Sequence, residues 1–310
     1  MDDGFVLVVG SAGIDVKGRP QDELNWGTPN LGTVKNSVGG VARNVAENLA
    51  HLEIETVLLT AVGEDEEGER VISNTESAGV NCDLVIRIPD ASTGMYMALL
   101  KGDGELNVAI SDFDVMQYLD SDTLMAQEPL FRDAEMIVID ATLTDEAMET
   151  VFELAARYEI PICADPTNPT LASKLCSYLS QLYLIVPNAL ETVSLCDVTG
   201  AAHDRDTALQ TARNLVGLGT EIAVVTLGEK GIAYADSSGG GFIRSMKTKV
   251  VDSTGAGDAF TAASIFGLLN HVPVDEAMRL GLTAAWLTLQ SKETVLPDIN
   301  QELLYSELVG

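Results

Sequence analysis

Seven consecutive residues, Asp252-Ser253-Thr254-Gly255-Ala256-Gly257-Asp258, stand directly before an apolar stretch over 259–269. Their types suit anion chemistry. Gly255, Ala256 and Gly257 have almost no side chain, so main-chain amides at the start of a helix can close on an anion, where the helix dipole favours negative charge. Asp258 then falls in the first turn. Alone, an Asp there reads as a helix start. A cap needs one polar residue, however, whereas consecutive positions without bulk answer to close approach, and a carboxylate beside them can take a proton from a hydroxyl nucleophile. The run reads as a phosphate cradle with a base beside it.

Other residues offer complementary groups. Gly39-Gly40 lets backbone approach a polyol or ribose, while Asp15, just past the first strand, and Asn44, on the next helix, supply acceptor and donor groups for hydroxyls. Taken singly, the glycines also describe a turn, Asp15 a solvated loop residue and Asn44 an exposed helical amide. Asn188 and Glu191 follow a strand over 182–186, at the carboxyl edge where open α/β sheets bind ligands. Glu191 can organise hydrated Mg²⁺, and the pair equally reads as a helix cap. Thr226 and Gly228 end another strand at that edge, where Gly lets the chain turn over a flat purine or simply makes a turn.

Periodicity supplies the elements that must hold these residues. A β-branched run over 5–9 predicts a buried strand, and apolar spacing at Val41, Val45, Leu49 and Leu52 predicts a helix over 41–52. A strand over 56–62 and a helix over 64–78 follow. Short strands over 82–88, 94–101 and 106–111, with a hairpin turn at 102–104, break the alternation and join the segment 13–37 in a small separate sheet. Met95 and Met97 on it are candidates for an apolar wall over a substrate, or plain strand packing. From 136 onward strands and helices alternate regularly, predicting a parallel, helix-covered sheet with a hairpin before the glycine motif and two final helices. The expectation is a single α/β domain over 1–310, with a lid inserted from about 13–37 and 85–112.

The chain has 310 residues, 46% hydrophobic and 21% charged, which describes a folded protein with a sizeable core. Lys and Arg total 18 against 47 Asp and Glu, a net charge of −29 that repels nucleic acid and anionic membranes. Neither is expected as a partner. Cys82, Cys163, Cys176 and Cys196 form no C-x-x-C pair and read as buried, reduced thiols; His51, His203 and His271 lack metal-ligand spacing. Met1-Asp2-Asp3 runs into a strand without a secretory signal's basic start, so a cytoplasmic location is expected. Lys17, Arg19 and Arg43 are candidate substrate contacts by charge alone, and none is assigned.

Together these motifs resemble a known family. Gly39-Gly40 with Ala42 and Asn44, then Gly63-Glu64-Asp65 with Gly68, is similar to the first signature of the PfkB, ribokinase-like, carbohydrate and nucleoside kinases, and Asp252 to Asp258 is similar to the second. Asn188-Ala189-Leu190-Glu191 resembles the family's N-x-x-E element, and Thr226-Leu227-Gly228-Glu229-Lys230-Gly231 its nucleotide-side strand and turn. The resemblance implies a ribokinase-like fold with a largely parallel central sheet and a small β-sheet lid. It implies ATP and Mg²⁺ as cofactors, and Asp252 with Thr254 near a K⁺ site or in a structural role. Val41 stands where ribokinase-like sugar kinases often carry Lys, and the stretches 10–18 and 41–49 are similar to the pseudouridine kinase branch.

The expected reaction is transfer of the ATP γ-phosphoryl group to a primary hydroxyl of a nucleoside, pseudouridine first, or of a sugar such as ribose or fructose. A second subunit covering an apolar lid face would make a homodimer. Two rivals are a nucleoside sensor on the same fold and a dinucleotide-dependent oxidoreductase. The intact Asp258 and Glu191 oppose the first, and the missing G-x-G-x-x-G after the first strand opposes the second.

Overall fold

The computed structural model describes residues 4–102, 106–195 and 202–308. Strand β1 (Phe5–Val9) carries four successive fully buried residues, Val6 to Val9, as a parallel strand covered on both faces must. The chain continues through β2 (Gly13–Pro20), β3 (Gly32–Gly39), α1 (Val41–His51), β4 (Thr56–Leu59), β5 (Ala61–Gly63) and α2 (Glu66–Ser77). Then come β6 (Ile86–Ile88), β7 (Gly94–Leu100), β8 (Leu106–Asp112), α3 (Ser121–Ala126), α4 (Glu128–Asp133) and β9 (Ala134–Asp140). The last part alternates α5 (Asp145–Tyr158), β10 (Ile162–Asp165), β11 (Leu182–Ile185), α6 (Glu191–Ser194), α7 (Arg205–Gly217) and β12 (Ile222–Thr226). It closes with β13 (Ile232–Asp236), β14 (Gly239–Ile243), α8 (Ala256–Leu269), α9 (Val274–Thr288) and α10 (Gln301–Ser306).

The eight-stranded sheet has the order β14-β13-β12-β11-β10-β9-β1-β4. Strands β4 through β12 of that order pair parallel, and the β13–β14 hairpin adds two antiparallel strands at one edge. Apolar cores lie on both faces. Helix α8 is apolar all round and buried from Ala259 to Leu268, because α1 and α9 pack against it. Among the described residues, no helix is long and apolar enough to cross a membrane.

Four strands form the separate sheet, in the order β3-β2-β7-β8. The segment 82–88, expected as one of its strands, does not join it. Strand β6 pairs instead with β5 in a parallel two-stranded ladder, since Ile86 N donates to Thr60 O and leads the segment back to the large sheet. Residues 103 and 104 of the expected hairpin turn lie outside the described residues. Cys82 and Cys163 are buried free thiols, but Cys176 is disulfide-bonded, contrary to the expected reduced state. It sits on a 3-10 segment (Ala172–Gln181) that packs against α6, a proximity that sequence spacing does not reveal. Cys196 lies outside the described residues.

Candidate active site

Gly255 caps α8 with φ of 79°, a left-handed conformation, and a Cβ there would lie 1.9 Å from the Thr294 carbonyl oxygen. Only glycine fits. Gly257, by contrast, faces open space, with nothing within 4 Å of where a Cβ would stand. Among the described residues no chain acceptor takes the amides of Gly255, Ala256 or Gly257, as expected of the first turn of a helix without a side-chain cap. The result is a row of open donors at the positive end of a buried helix.

Asp258 stands one residue further on. Its Oδ2 accepts a 2.7 Å hydrogen bond from Asn44 Nδ2 on α1, so the two helices bring together residues 214 positions apart. Burial pushes the Asp258 carboxyl up to about 7; the Asn44 hydrogen bond opposes this, and the charges of Asp15 and Asp140 add to it. A carboxyl poised there exchanges protons near neutrality. Arg43, almost fully buried, fixes the amide of Asn44: its Nη1 donates to Asn44 Oδ1 at 3.1 Å, while Nε and Nη2 hold Thr75 and Asn74 and the guanidinium pairs with Glu47. With its oxygen engaged, Asn44 presents its nitrogen to Asp258.

Gly39 and Gly40 each serve a close approach. A Cβ on Gly39 would lie 2.6 Å from the Asp15 carboxyl, and one on Gly40, where φ is 97°, would lie 2.5 Å from Ser11 O. Asp15 is buried, and burial pushes its carboxyl up to about 6, opposed by Lys17 and Arg43. It shares its face of the small sheet with Tyr96, its register partner on β7. Met95 and Met97 therefore point to the opposite face, and the apolar wall expected of them is not there. Tyr96 takes that side, and burial and the Asp15 charge raise its hydroxyl above the ordinary phenol range.

Two acids that sequence reasoning missed organise the strand edge. Asp140 and Asp165 end β9 and β10 and are register partners. Asp140 is wholly buried and accepts from Ser11 N, Ser11 Oγ and Ala42 N at 2.8, 2.6 and 3.1 Å, and from the amide and hydroxyl of Thr142. Gly40 has no side chain to cap α1, so Asp140 does it from across the sheet. Asp165 is raised well above the carboxylate range by burial and by the charges of Glu191, Asp258 and Asp140. An acid closing an apolar strand run was the available signal for both.

Glu191 adopts the capping arrangement. Its Oε2 accepts from Asn188 N at 2.7 Å and its Oε1 from Asn188 Nδ2 at 2.6 Å, and burial raises its carboxyl against these bonds. Each oxygen keeps a lone pair. Glu191 and Asp165 thus concentrate like charge beside Asp258, a donor set that suits a divalent ion. Among the described residues no three acidic, His or Cys side chains converge to ligate a metal directly. Thr226 is bridged to Asn188 and, with Gly228, Ile232, Phe260 and Trp286, lines a cavity of about 750 Å³ that reaches Ala256 and Gly257. A mostly apolar cleft ending at open amides has the shape for a purine nucleotide.

Asp252 and Thr254 do not fit K⁺. The Lys17 ammonium donates to Asp252 Oδ1 and Oδ2 at 3.2 and 3.1 Å and to Thr254 Oγ1. A cation already occupies the expected ligands.

Comparison with known proteins bears on this arrangement. A family model described as pfkB family carbohydrate kinase matches residues 3–301. Pseudouridine kinase of Escherichia coli is 32% identical over 297 residues, covering 96% of this chain and 94% of that protein. Guanosine-inosine kinase of Exiguobacterium acetylicum is 29% identical, covering 94% of this chain and 96% of the relative. The structure of Arabidopsis thaliana ribokinase complexed with ribose and ATP superposes with a TM-score of 0.86 at 22% identity, covering 98% of each chain, and shows the shared fold.

Proposed function

The chain belongs to the pfkB family of carbohydrate kinases, and from that premise we propose that it phosphorylates the primary 5′-hydroxyl of a nucleoside, pseudouridine first. It is a sugar or nucleoside kinase, with an α/β ribokinase-like fold. The observation that carries the reading is the Asn44–Asp258 hydrogen bond beside the open amides of α8. A hydroxyl placed there gives its proton to Asp258 as its oxygen bonds to the γ-phosphorus of ATP and the bond to the β-phosphate oxygen breaks. The amides of Gly255, Ala256 and Gly257 hold the charge on the transferred group. Asp15 and Asn44 orient the acceptor's hydroxyls, and Gly39 and Gly40 admit it to the backbone.

The nucleotide base belongs in the cavity of Thr226 and Gly228, with Asn188 alongside. Glu191 and Asp165 would hold Mg²⁺ through water, and the ion would supply neutralisation of phosphate charge. K⁺ has no part in this reading. The pseudouridine assignment draws on the 32% identity to the E. coli enzyme and on the matching stretches 10–18 and 41–49. We treat the molecule as one domain, with the four-stranded sheet as a lid, in the cytoplasm where Mg-ATP is abundant. A homodimer through that sheet is part of the same proposal: Val34 (75% exposed), Met97, Val108 and Ile110 (68% exposed) share its outer face.

The test is ADP release with Mg-ATP and a panel of pseudouridine, uridine, adenosine, guanosine, inosine, ribose and fructose, with the product's mass recorded. Pseudouridine should give the highest kcat/KM. Preference for a free sugar would replace the nucleoside assignment, and absence of ADP release with every acceptor in a wider alcohol panel would leave only the sensor reading. Ile110→Glu should convert a dimer to a monomer in sedimentation velocity; a wild type that already sediments as a monomer removes the dimer.

A further inference from the structure

We infer that Lys17 is a built-in monovalent cation, which holds the loop entering α8 so that phosphoryl transfer needs no bound K⁺. The inference rests on the kinase reading above and concerns the residues that the family resemblance associates with a K⁺ site. Lys17 projects from β2 of the small sheet, its side chain only 14% exposed, and reaches a loop 235 residues away. An ammonium has three donors. Here they face three oxygens, both of Asp252 and the hydroxyl of Thr254. Asp252 Oδ1 also accepts from Thr254 N at 2.9 Å, closing a tight turn, and Val251 N anchors that turn to Leu289 O at 2.8 Å.

The turn leads straight into Gly255, which packs against Thr294 O. Lys17 thereby fixes where the open amides of α8 begin. It also neutralises Asp252, an acid that would otherwise repel a phosphate approaching those amides. A free ion must displace a group of equal charge that is covalently delivered to the spot, so the tethered ammonium prevails at ordinary salt concentrations. Lys17 is a positioning residue in this account and touches neither reacting group. Because it belongs to the small sheet and its partners to the loop entering α8, the same contact ties the small sheet to that helix.

The experiment compares wild type, Lys17→Met and Lys17→Arg in potassium, ammonium and tetramethylammonium chloride. Wild-type kcat should vary by less than about twofold among the salts, whereas Lys17→Met should lose at least about tenfold in tetramethylammonium. Potassium or ammonium ions should restore most of that loss, and Lys17→Arg should need no restoration. Adding Asp252→Asn to Lys17→Met should abolish the rescue. Calorimetric Mg-ADP affinity and melting temperature in the same salts need no acceptor, and both should depend on K⁺ in Lys17→Met alone. They decide the matter even if no alcohol proves to be a substrate. A wild type stimulated by K⁺, a Lys17→Met protein indifferent to every salt, or one whose loss no small cation restores, overturns the inference.

Discussion

Replacing Asp258 by Asn tests the site most directly, because its geometry predicts opposite effects on rate and stability. The isostere keeps an oxygen for Asn44 Nδ2 but cannot accept a proton, so kcat should fall by about 10²–10⁴-fold, the usual contribution of a general base. Stability should move the other way. Burial raises the wild-type carboxyl from 3.8 to about 7, a rise of about three pH units, which at about 1.4 kcal/mol per unit sets a ceiling near 4 kcal/mol. The carboxyl is partly open to solvent and shares its shift with Asp15 and Asp140, so about 1–2 kcal/mol is expected in practice.

The sign follows from proton binding. Between pH 3.8 and about 7 the folded protein holds a proton that the unfolded chain has lost, so its stability declines as pH rises through that window. The amide of the Asp258→Asn variant carries no charge and escapes the decline. The variant should melt above wild type at pH 8, with the difference vanishing near pH 4. Wild-type kcat/KM should fall about tenfold per pH unit below 7, as protonation removes the base. Thermal scans at the two pH values and a pH–rate profile check both. A variant within tenfold of wild-type kcat, or a wild-type profile flat from pH 5.5 to 8, refutes the assignment.

Removing the Asn44 amide with Asn44→Ala deletes the bond that lowers the Asp258 carboxyl, so the acid limb of the pH–rate profile should move above 7. The two glycines of the cradle should separate in a paired test. Gly255→Ala meets a main-chain oxygen in a left-handed conformation and should destabilise by about 3 kcal/mol or more. Gly257→Ala enters open space, so its melting temperature should match wild type while a methyl beside the phosphates lowers kcat/KM. Asp140→Asn leaves buried donors competing for a poorer acceptor and should lower stability by about 2–3 kcal/mol in urea titration.

Much of the scaffold was legible because burial imposes a period. The unbroken apolar run at Val6 to Val9 marks a covered parallel strand, and Val45 and Leu49 mark the inward stripe of α1. The glycine motif was legible because bulk is excluded at consecutive positions, and Gly255 and Gly40 meet that exclusion from main-chain atoms. Asp140 and Asp165 were not, since an acid at a strand end does not stand out among 47 acidic residues. The partners of Lys17, and the Thr75 and Asn74 that hold Arg43, are set by tertiary approach, which periodicity does not encode. Strand register turned Met95 and Met97 outward, and a second ladder took Ile86–Ile88 from the small sheet.

The obstacle facing any side chain at 255 is the carbonyl of residue 294, an atom every amino acid carries. No replacement at 294 removes it. A selection for suppressors of a defect at 255 should therefore return reversions to glycine or shifts in the backbone of the 294 loop, and never compensation by a smaller neighbour. In that sense position 255 has no epistatic partner, and its tolerance is fixed by the path of the main chain rather than by what surrounds it.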